Sequence, residues 1–293
     1  MNLSLALRLG RISNLPTVWT NVLVGALLAG AGLADARLAW LLPALSLYYV
    51  GGMFLNDAFD REFDAAHRPE RPIPAGQVSA RQVFAYGGGM LAIGLAAVAL
   101  ASRGADGLPA WRACAAGLAL AAAIVAYDVH HKAFALSPLV MGLCRVFVVV
   151  TAAAVVAPTL PAPVLLAAAA LLCHLIGLTY IAKQEHLDRI GSLWPLAFLA
   201  VPLLYGLWLA QTDGASRLTW LPWGCYLATL AFALARLRRR QPGDVPRAVV
   251  TLIAGMSLLD AVLLAGAGRP LAAMLAIAAF GLTLFLQRWV SGT

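Results

Sequence analysis

Leu55–Arg81, LNDAFDREFDAAHRPERPIPAGQVSAR, is the longest polar interruption in an otherwise apolar chain. It sets Asp57, Asp60, Glu62 and Asp64 beside Arg61, Arg68 and Arg71, directly after an apolar run able to cross a bilayer. If the preceding helix continues through the acids, Asn56, Asp60 and Asp64 fall at i, i+4 and i+8, with Asp57 on the same stripe. Carboxylates this crowded at a membrane surface repel one another, and desolvation makes the clustering worse. A cation must neutralise them. Hard oxygen donors suit Mg²⁺, which is usually held by one or two carboxylates plus a substrate's phosphates. Asn56, Asp57, Asp60 and Asp64 are therefore the expected oxygen ligands. Arg68 and Arg71, on a turn stiffened by Pro69, Pro72 and Pro74, are the expected partners of a phosphorylated substrate. A solvated charged loop is the plainer alternative, and the regular acid spacing speaks against it.

The rest of the chain is oily. Its 293 residues are 62% hydrophobic and only 12% charged. That charged fraction is about half of a globular protein's, and the mean hydropathy of +0.83 excludes a soluble domain. Apolar spans fall near residues 15–33, 38–57, 82–102, 111–128, 137–157, 162–182, 193–210, 218–235, 247–267 and 270–289. No short alternating strands with aromatic girdles appear, so a membrane β-barrel is excluded. The expectation is one all-α integral membrane domain over residues 1–293. No cleavable leader is evident. The start, MNLSLALRLGRISNLP, reads instead as a short amphipathic segment with Arg8 and Arg11 on its polar side.

The net charge of +8 does not point to nucleic acid, because the basic residues are scattered in short loops. Topology explains them. With the N-terminus inside, fifteen Lys and Arg lie on the inner side and five on the outer, with Arg145 left inside a span. The positive-inside rule then gives an N-in protein whose polar clusters face the cytoplasm. Cys114, Cys144, Cys173 and Cys225 each sit alone in an apolar run and read as small core hydrophobes.

Two further clusters end spans on the same side. Tyr127, Asp128, His130, His131 and Lys132 close the fourth span, and Lys132 is placed to hold a phosphate. Lys183, Gln184, Glu185 and Asp188 close the sixth, with Glu185 and Asp188 on one helix face. Within spans, Arg145 sits at a depth suited to a diphosphate, while Asp260 is either an interior partner or an interfacial group. His174 reads as a satisfied interior histidine.

These residues resemble the UbiA-type intramembrane prenyltransferases. Asn56-Asp57-Ala58-Phe59-Asp60-Arg61-Glu62-Phe63-Asp64 looks like that family's NDxxDxxxD, and Arg68-Pro69-Glu70-Arg71-Pro72-Ile73-Pro74-Ala75-Gly76 like its RPxRPIPxG continuation. Arg11, Asn14-Leu15-Pro16-Thr17, Asn21 and Gly25 look like its first helix, and Tyr127 to Lys132 like its tyrosine–lysine segment. Met141-Gly142-Leu143-Cys144-Arg145 is most similar to a bacterial EboC-like branch. The resemblance implies a bundle of nine to ten transmembrane helices around a central cavity in a bacterial inner membrane. It implies transfer of a prenyl group from a polyprenyl diphosphate to a lipophilic, commonly aromatic, acceptor with Mg²⁺ as cofactor. Carried over residue by residue, Asp57, Asp60, Asp64, Glu185 and Asp188 hold metal, and Asp57, Asp60 and Lys132 are catalytic. Asn56, Arg68, Arg71, Tyr127, Lys132, Arg145 and Lys183 meet the diphosphate. One departure matters: the family's second motif is DxxxD, whereas Gln184 stands four before Asp188 here. Two alternatives stay open, a non-catalytic membrane carrier and prenyl transfer to a polar sugar-phosphate acceptor. Carbon–oxygen cleavage needs charge stabilisation at the diphosphate and a dry pocket for the cation, with Phe54, Phe59 and Tyr127 as candidate aromatic walls.

Overall fold

The structure is a computed structural model that describes residues 1–104, 107–131, 134, 136–184, 194–212, 217–290 and 292. It is helical almost throughout. The helices are α1 Leu3–Leu9, α2 Leu15–Leu28, α3 Leu38–Phe59, α4 Arg61–His67, α5 Ala80–Ala101 and α6 Trp111–His130. They continue with α7 Ser137–Val156, α8 Ala162–Lys183, α9 Ala200–Gln211, α10 Trp220–Arg239, α11 Asp244–Gly266 and α12 Pro270–Leu286. Among the described residues, seven helical stretches are long and apolar enough to cross a membrane, and Ile12–Leu28 and Pro270–Leu286 are shorter apolar ones.

Several boundaries have local causes. Pro16, Pro138, Pro163 and Pro270 stand in the first turns of α2, α7, α8 and α12, where a missing N–H costs nothing. Ser79 and Gln82 close a capping box at the start of α5. Arg37 finishes α7 from outside the helix, donating from Nη1 to the carbonyls of Val155 and Val156 at 3.4 and 3.1 Å. Those are orphan acceptors of a helix end. Between α10 and α11, Asp244 accepts from Arg239, Arg236 and the Gln241 N–H, locking a turn with Gly243 at φ 78°.

The core runs along α11, where every residue from Ala254 through Ala265 is buried. α2, α8, α10 and α12 pack on it, α7 joins α2 to α8, and α3 pairs with α5 at the other side. Close approach depends on glycine at two crossings. A Cβ on Gly25 would lie 2.2 Å from the Val149 carbonyl oxygen of α7, and one on Gly51 2.9 Å from the Gly87 carbonyl of α5. Gly88 and Gly89, adjacent in sequence to Gly87, meet nothing within 4 Å and take no part in that crossing. Large apolar side chains such as Ile93, Leu118, Leu204 and Met274 point outward, as a lipid-facing surface requires.

Candidate active site

One end of the bundle gathers the polar residues. Leu55–Arg81 runs from the end of α3 through the short α4 and a tight turn into the start of α5. α3 ends at Phe59, Asp60 is the junction at φ −80°, and α4 carries on to His67. Helical bonding survives there, since the Asp60 N–H reaches Asn56 O at 2.9 Å and the Asp64 N–H reaches Asp60 O at 2.8 Å. The helical repeat therefore carries on across the junction at Asp60. Beyond it, the Ala75 N–H bonds Arg71 O, and Gly76 takes φ 70° to turn the chain into α5.

The four first-motif residues part ways. Asn56 and Asp60 line a cavity of about 670 Å³ that opens at this end, and Asp57 and Asp64 are buried off its wall. Asp57 Oδ1 accepts from Arg11 at 3.3 Å and from Arg71 at 3.0 Å, which fastens the N-terminal segment and the proline turn to α3. Burial lowers the Arg11 guanidinium, but the charges of Asp57 and its neighbours outweigh that and hold its pKa above the ordinary value. At Arg71, burial and then Arg11 prevail, and its pKa is lowered. Asp60 Oδ2 lies 3.5 Å from His131 Nε2, and His131 stacks on Tyr127 with centroids 4.9 Å apart.

α1 adds a wall that the amphipathic-segment reading did not place. Leu5 and Leu9 pack with Phe54, Ala58, Val78 and Val83 in a small second core, which leaves Arg8, Arg11 and Asn14 on the cavity. Arg68, Arg71, Tyr127 and Lys183 line the same space. Lys183, at the end of α8, donates to Ser137 Oγ at 2.8 Å and to the carbonyls of His131 and Phe134. The ends of α3, α6 and α8 thus converge on one mouth. Lys132, Glu185 and Asp188 lie outside the described residues. Phe54 packs in the second core and Phe59 edge-on against Phe84, so neither lines the cavity as Tyr127 does.

Deeper in, the cavity turns apolar, with Val18, Leu120, Ile124, Leu175, Val249 and Met256 among its walls. Arg145 sits here, 5.3 Å over the Tyr49 ring, and donates to Asn21 Oδ1 at 3.2 Å. Asn21 Nδ2 donates in turn to Asp260 Oδ2 at 2.7 Å. Asp260 is thereby an interior partner and not an interfacial group. His174 is satisfied as expected, by Tyr226 Oη at 2.8 Å and Leu252 O at 3.0 Å.

Among the described residues, no three His, Cys, Asp or Glu side chains form a ready-made metal cluster. The donor set at the mouth nevertheless has Mg²⁺ chemistry: Asn56 and Asp60 are hard oxygens on the cavity wall, and Arg68, Arg71 and Lys183 stand around the space a phosphate would occupy.

The UbiA prenyltransferase family model matches residues 18–244. The chain belongs to the UbiA prenyltransferase family. Similar curated relatives of this family member include the digeranylgeranylglyceryl phosphate synthases of Methanopyrus kandleri and Natronomonas pharaonis. The first is 43% identical over 95 residues, covering 31% of this chain and 34% of that protein. The second is 34% identical over 109 residues, covering 37% and 36%. The matched segment thus spans about a third of the length of these relatives. Among solved structures, a UbiA homologue from Aeropyrum pernix superposes with a TM-score of 0.68 at 20% identity, over 87% of this chain and 96% of that one. A UbiA homologue from Archaeoglobus fulgidus bound to GPP and Mg²⁺ gives a TM-score of 0.60 at 15% identity, over 88% and 99%. These likenesses establish the UbiA fold. The relatives named are archaeal, and nothing in them supports the EboC-like branch.

Sequence reasoning named Asp128 only as part of a span end, named Asn14 and Asn21 only within the first-helix resemblance and without a partner, and missed Tyr49. Asn21 lay in plain view in the first apolar span and Asn14 just before it, where a buried amide needs a partner.

Proposed function

We propose that this protein is a Mg²⁺-dependent prenyltransferase that moves a prenyl group from a prenyl diphosphate to a phosphate-bearing polar acceptor. The observation that carries the reading is a single cavity with a hard-oxygen and cationic mouth above an apolar interior. Asn56 and Asp60 would hold the cation, with Asp57 and Asp64 fixing the stripe from behind and Glu185 and Asp188 as the second motif. When bound, Mg²⁺ neutralises the charge that develops on the departing diphosphate. Arg68, Arg71, Tyr127 and Lys183, joined by Lys132, would bind and orient that diphosphate through directed donors. The apolar walls below exclude water from the reacting carbon while the carbon–oxygen bond breaks. Arg145, held by Asn21 and stacked on Tyr49, would bound the polar part of the site from beneath.

Two observations support this acceptor class, the relatives' names and this chain's own wall. Arg8 and Arg68 are exposed at the mouth, and among the described residues neither makes a salt bridge or a side-chain hydrogen bond. They are available to a second anion beside the diphosphate. This favours a glycerol-phosphate-type acceptor over an aromatic one. The charge count sets the mouth on the cytoplasmic side of the membrane.

The test is diphosphate release and product mass from purified protein in nanodiscs, supplied with geranyl or geranylgeranyl diphosphate and Mg²⁺. A prenylated glycerol phosphate is expected, with loss of release on chelation and in Asp60→Ala. Product from 4-hydroxybenzoate alone would overturn the acceptor class. No release with any donor and acceptor would favour a carrier.

A further inference from the structure

Asp128 is the one buried acid at the mouth that the reading above leaves unused. It lies near the end of α6, is only 4% exposed, and lines the cavity. Its Oδ1 accepts from Asn56 Nδ2 at 3.1 Å. Its Oδ2 is buried and, among the described residues, has no hydrogen-bond partner. Arg11, Arg71 and His131, which pair with Asp57 and Asp60, form no salt bridge with its carboxylate, although His131 Nδ1 lies 3.3 Å from the Asp128 backbone carbonyl. A carboxylate oxygen enclosed without a donor is costly, and it is retained only where something of opposite character fills the place beside it.

The bond to Asn56 identifies that place. It engages the amide nitrogen and leaves the amide oxygen as an acceptor. Asp60 stands one helical turn further on, facing the same space. Two carboxylates and an amide oxygen, from two helices, then line the same cavity. That donor set excludes a soft metal and suits a hard divalent cation with its remaining positions open to water or phosphate.

We propose that Asp128 is a cation ligand, so that the metal of this site is shared between α3 and α6 through Asn56, Asp60 and Asp128. The inference rests on the Mg²⁺ reading above and adds to it a ligand from a third polar segment. Asn56 has a double part: its nitrogen holds Asp128 in place and its oxygen faces the cation. The acid stretch of α3 is thereby tied to α6 by the ion as well as by the hydrogen bond.

The test uses Mn²⁺ as the probe, with and without inorganic diphosphate, on purified full-length protein in nanodiscs. Bound Mn²⁺ is read by electron paramagnetic resonance. Asp128→Asn keeps an oxygen for Asn56 but removes the negative charge, and Asp128→Ser serves if that variant does not fold. Loss of an outer-shell partner alone costs about 10–100-fold in metal affinity, so loss of a direct ligand should weaken Mn²⁺ binding by at least about 10-fold, with folding checked by thermal unfolding. Asp60→Asn is the control for the site as a whole. If Asp60→Asn weakens binding and neither Asp128 variant does, Asp128 is only a hydrogen-bond acceptor, and this inference falls while the metal reading stands. If the wild-type protein binds no Mn²⁺ under either condition, both fall together.

Discussion

Asp57→Ala tests the clamp that the acid stretch places between Arg11 and Arg71. Asp57 Oδ1 sits 3.3 Å from Arg11 and 3.0 Å from Arg71, with the three side chains 7%, 17% and 18% exposed. Truncation therefore leaves two guanidiniums facing each other with little water to screen them. Removing one partner of a buried ion pair costs about 3–5 kcal/mol, and the partial exposure of both arginines sets the lower end, about 3 kcal/mol. At about 2–4 °C per kcal/mol for a chain of this size class, Tm should fall by about 6–12 °C. A thiol-reactive dye is a suitable probe, because Cys114, Cys144, Cys173 and Cys225 are free and partly buried. Glu62→Ala is the control. Its pair with Arg61 is open to solvent, with Glu62 84% exposed, and such pairs contribute about 0–1 kcal/mol. Adding Arg71→Gln to Asp57→Ala should recover part of the loss by removing one orphaned cation. A Tm for Asp57→Ala within about 2 °C of wild type would refute the double clamp.

Other substitutions read other parts of the fold. Gly25→Ala should cost about 1–3 kcal/mol or more by driving a methyl into the Val149 carbonyl. Gly88→Ala, with open space around it, should be neutral or slightly stabilising, and equal melting of the two variants would contradict the α2–α7 contact. Asn21→Leu deprives both Arg145 and Asp260 of a hydrogen bond and should cost at least about 2 kcal/mol; unchanged thermal unfolding would argue that the three are not coupled. Asp35 accepts three bonds from Arg37, from its side chain first and then its backbone N–H, which lowers its pKa to about 2. The stabilisation from this depressed carboxyl is complete above the unfolded value of about 3.9 and is lost as pH falls through about 2. A carboxyl-carbon NMR titration with a midpoint near 3.9 would show that the clamp does not form.

The positions of the spans were legible because a bilayer dictates the length of an apolar run. Trp111–His130, Ser137–Val156 and Ala162–Lys183 fall within a few residues of where hydropathy alone places them. The convergence of the acid stretch with the ends of α6 and α8 was legible too, from the side on which each charge cluster falls. What the sequence did not disclose were pairings across long separations. Periodicity ranks residues along one helix and is silent on which helix lies opposite. Asn21 meeting Asp260 and Arg11 meeting Asp57 are facts of tertiary packing, as is Asn56 meeting Asp128. The junction at Asp60 was hidden for a different reason, since no proline or glycine marks it.

Asn14 also meets residues far along the chain: its amide nitrogen donates to the Gly292 carbonyl at 2.9 Å, while Gln287 donates to its oxygen at 2.9 Å. Gly292 itself is buried and borders the cavity. A purification tag or fluorescent fusion joined there would begin its path beside that cavity. Reporter designs for this protein should therefore carry a long spacer, and assays on tagged material should be repeated after the tag has been cut away.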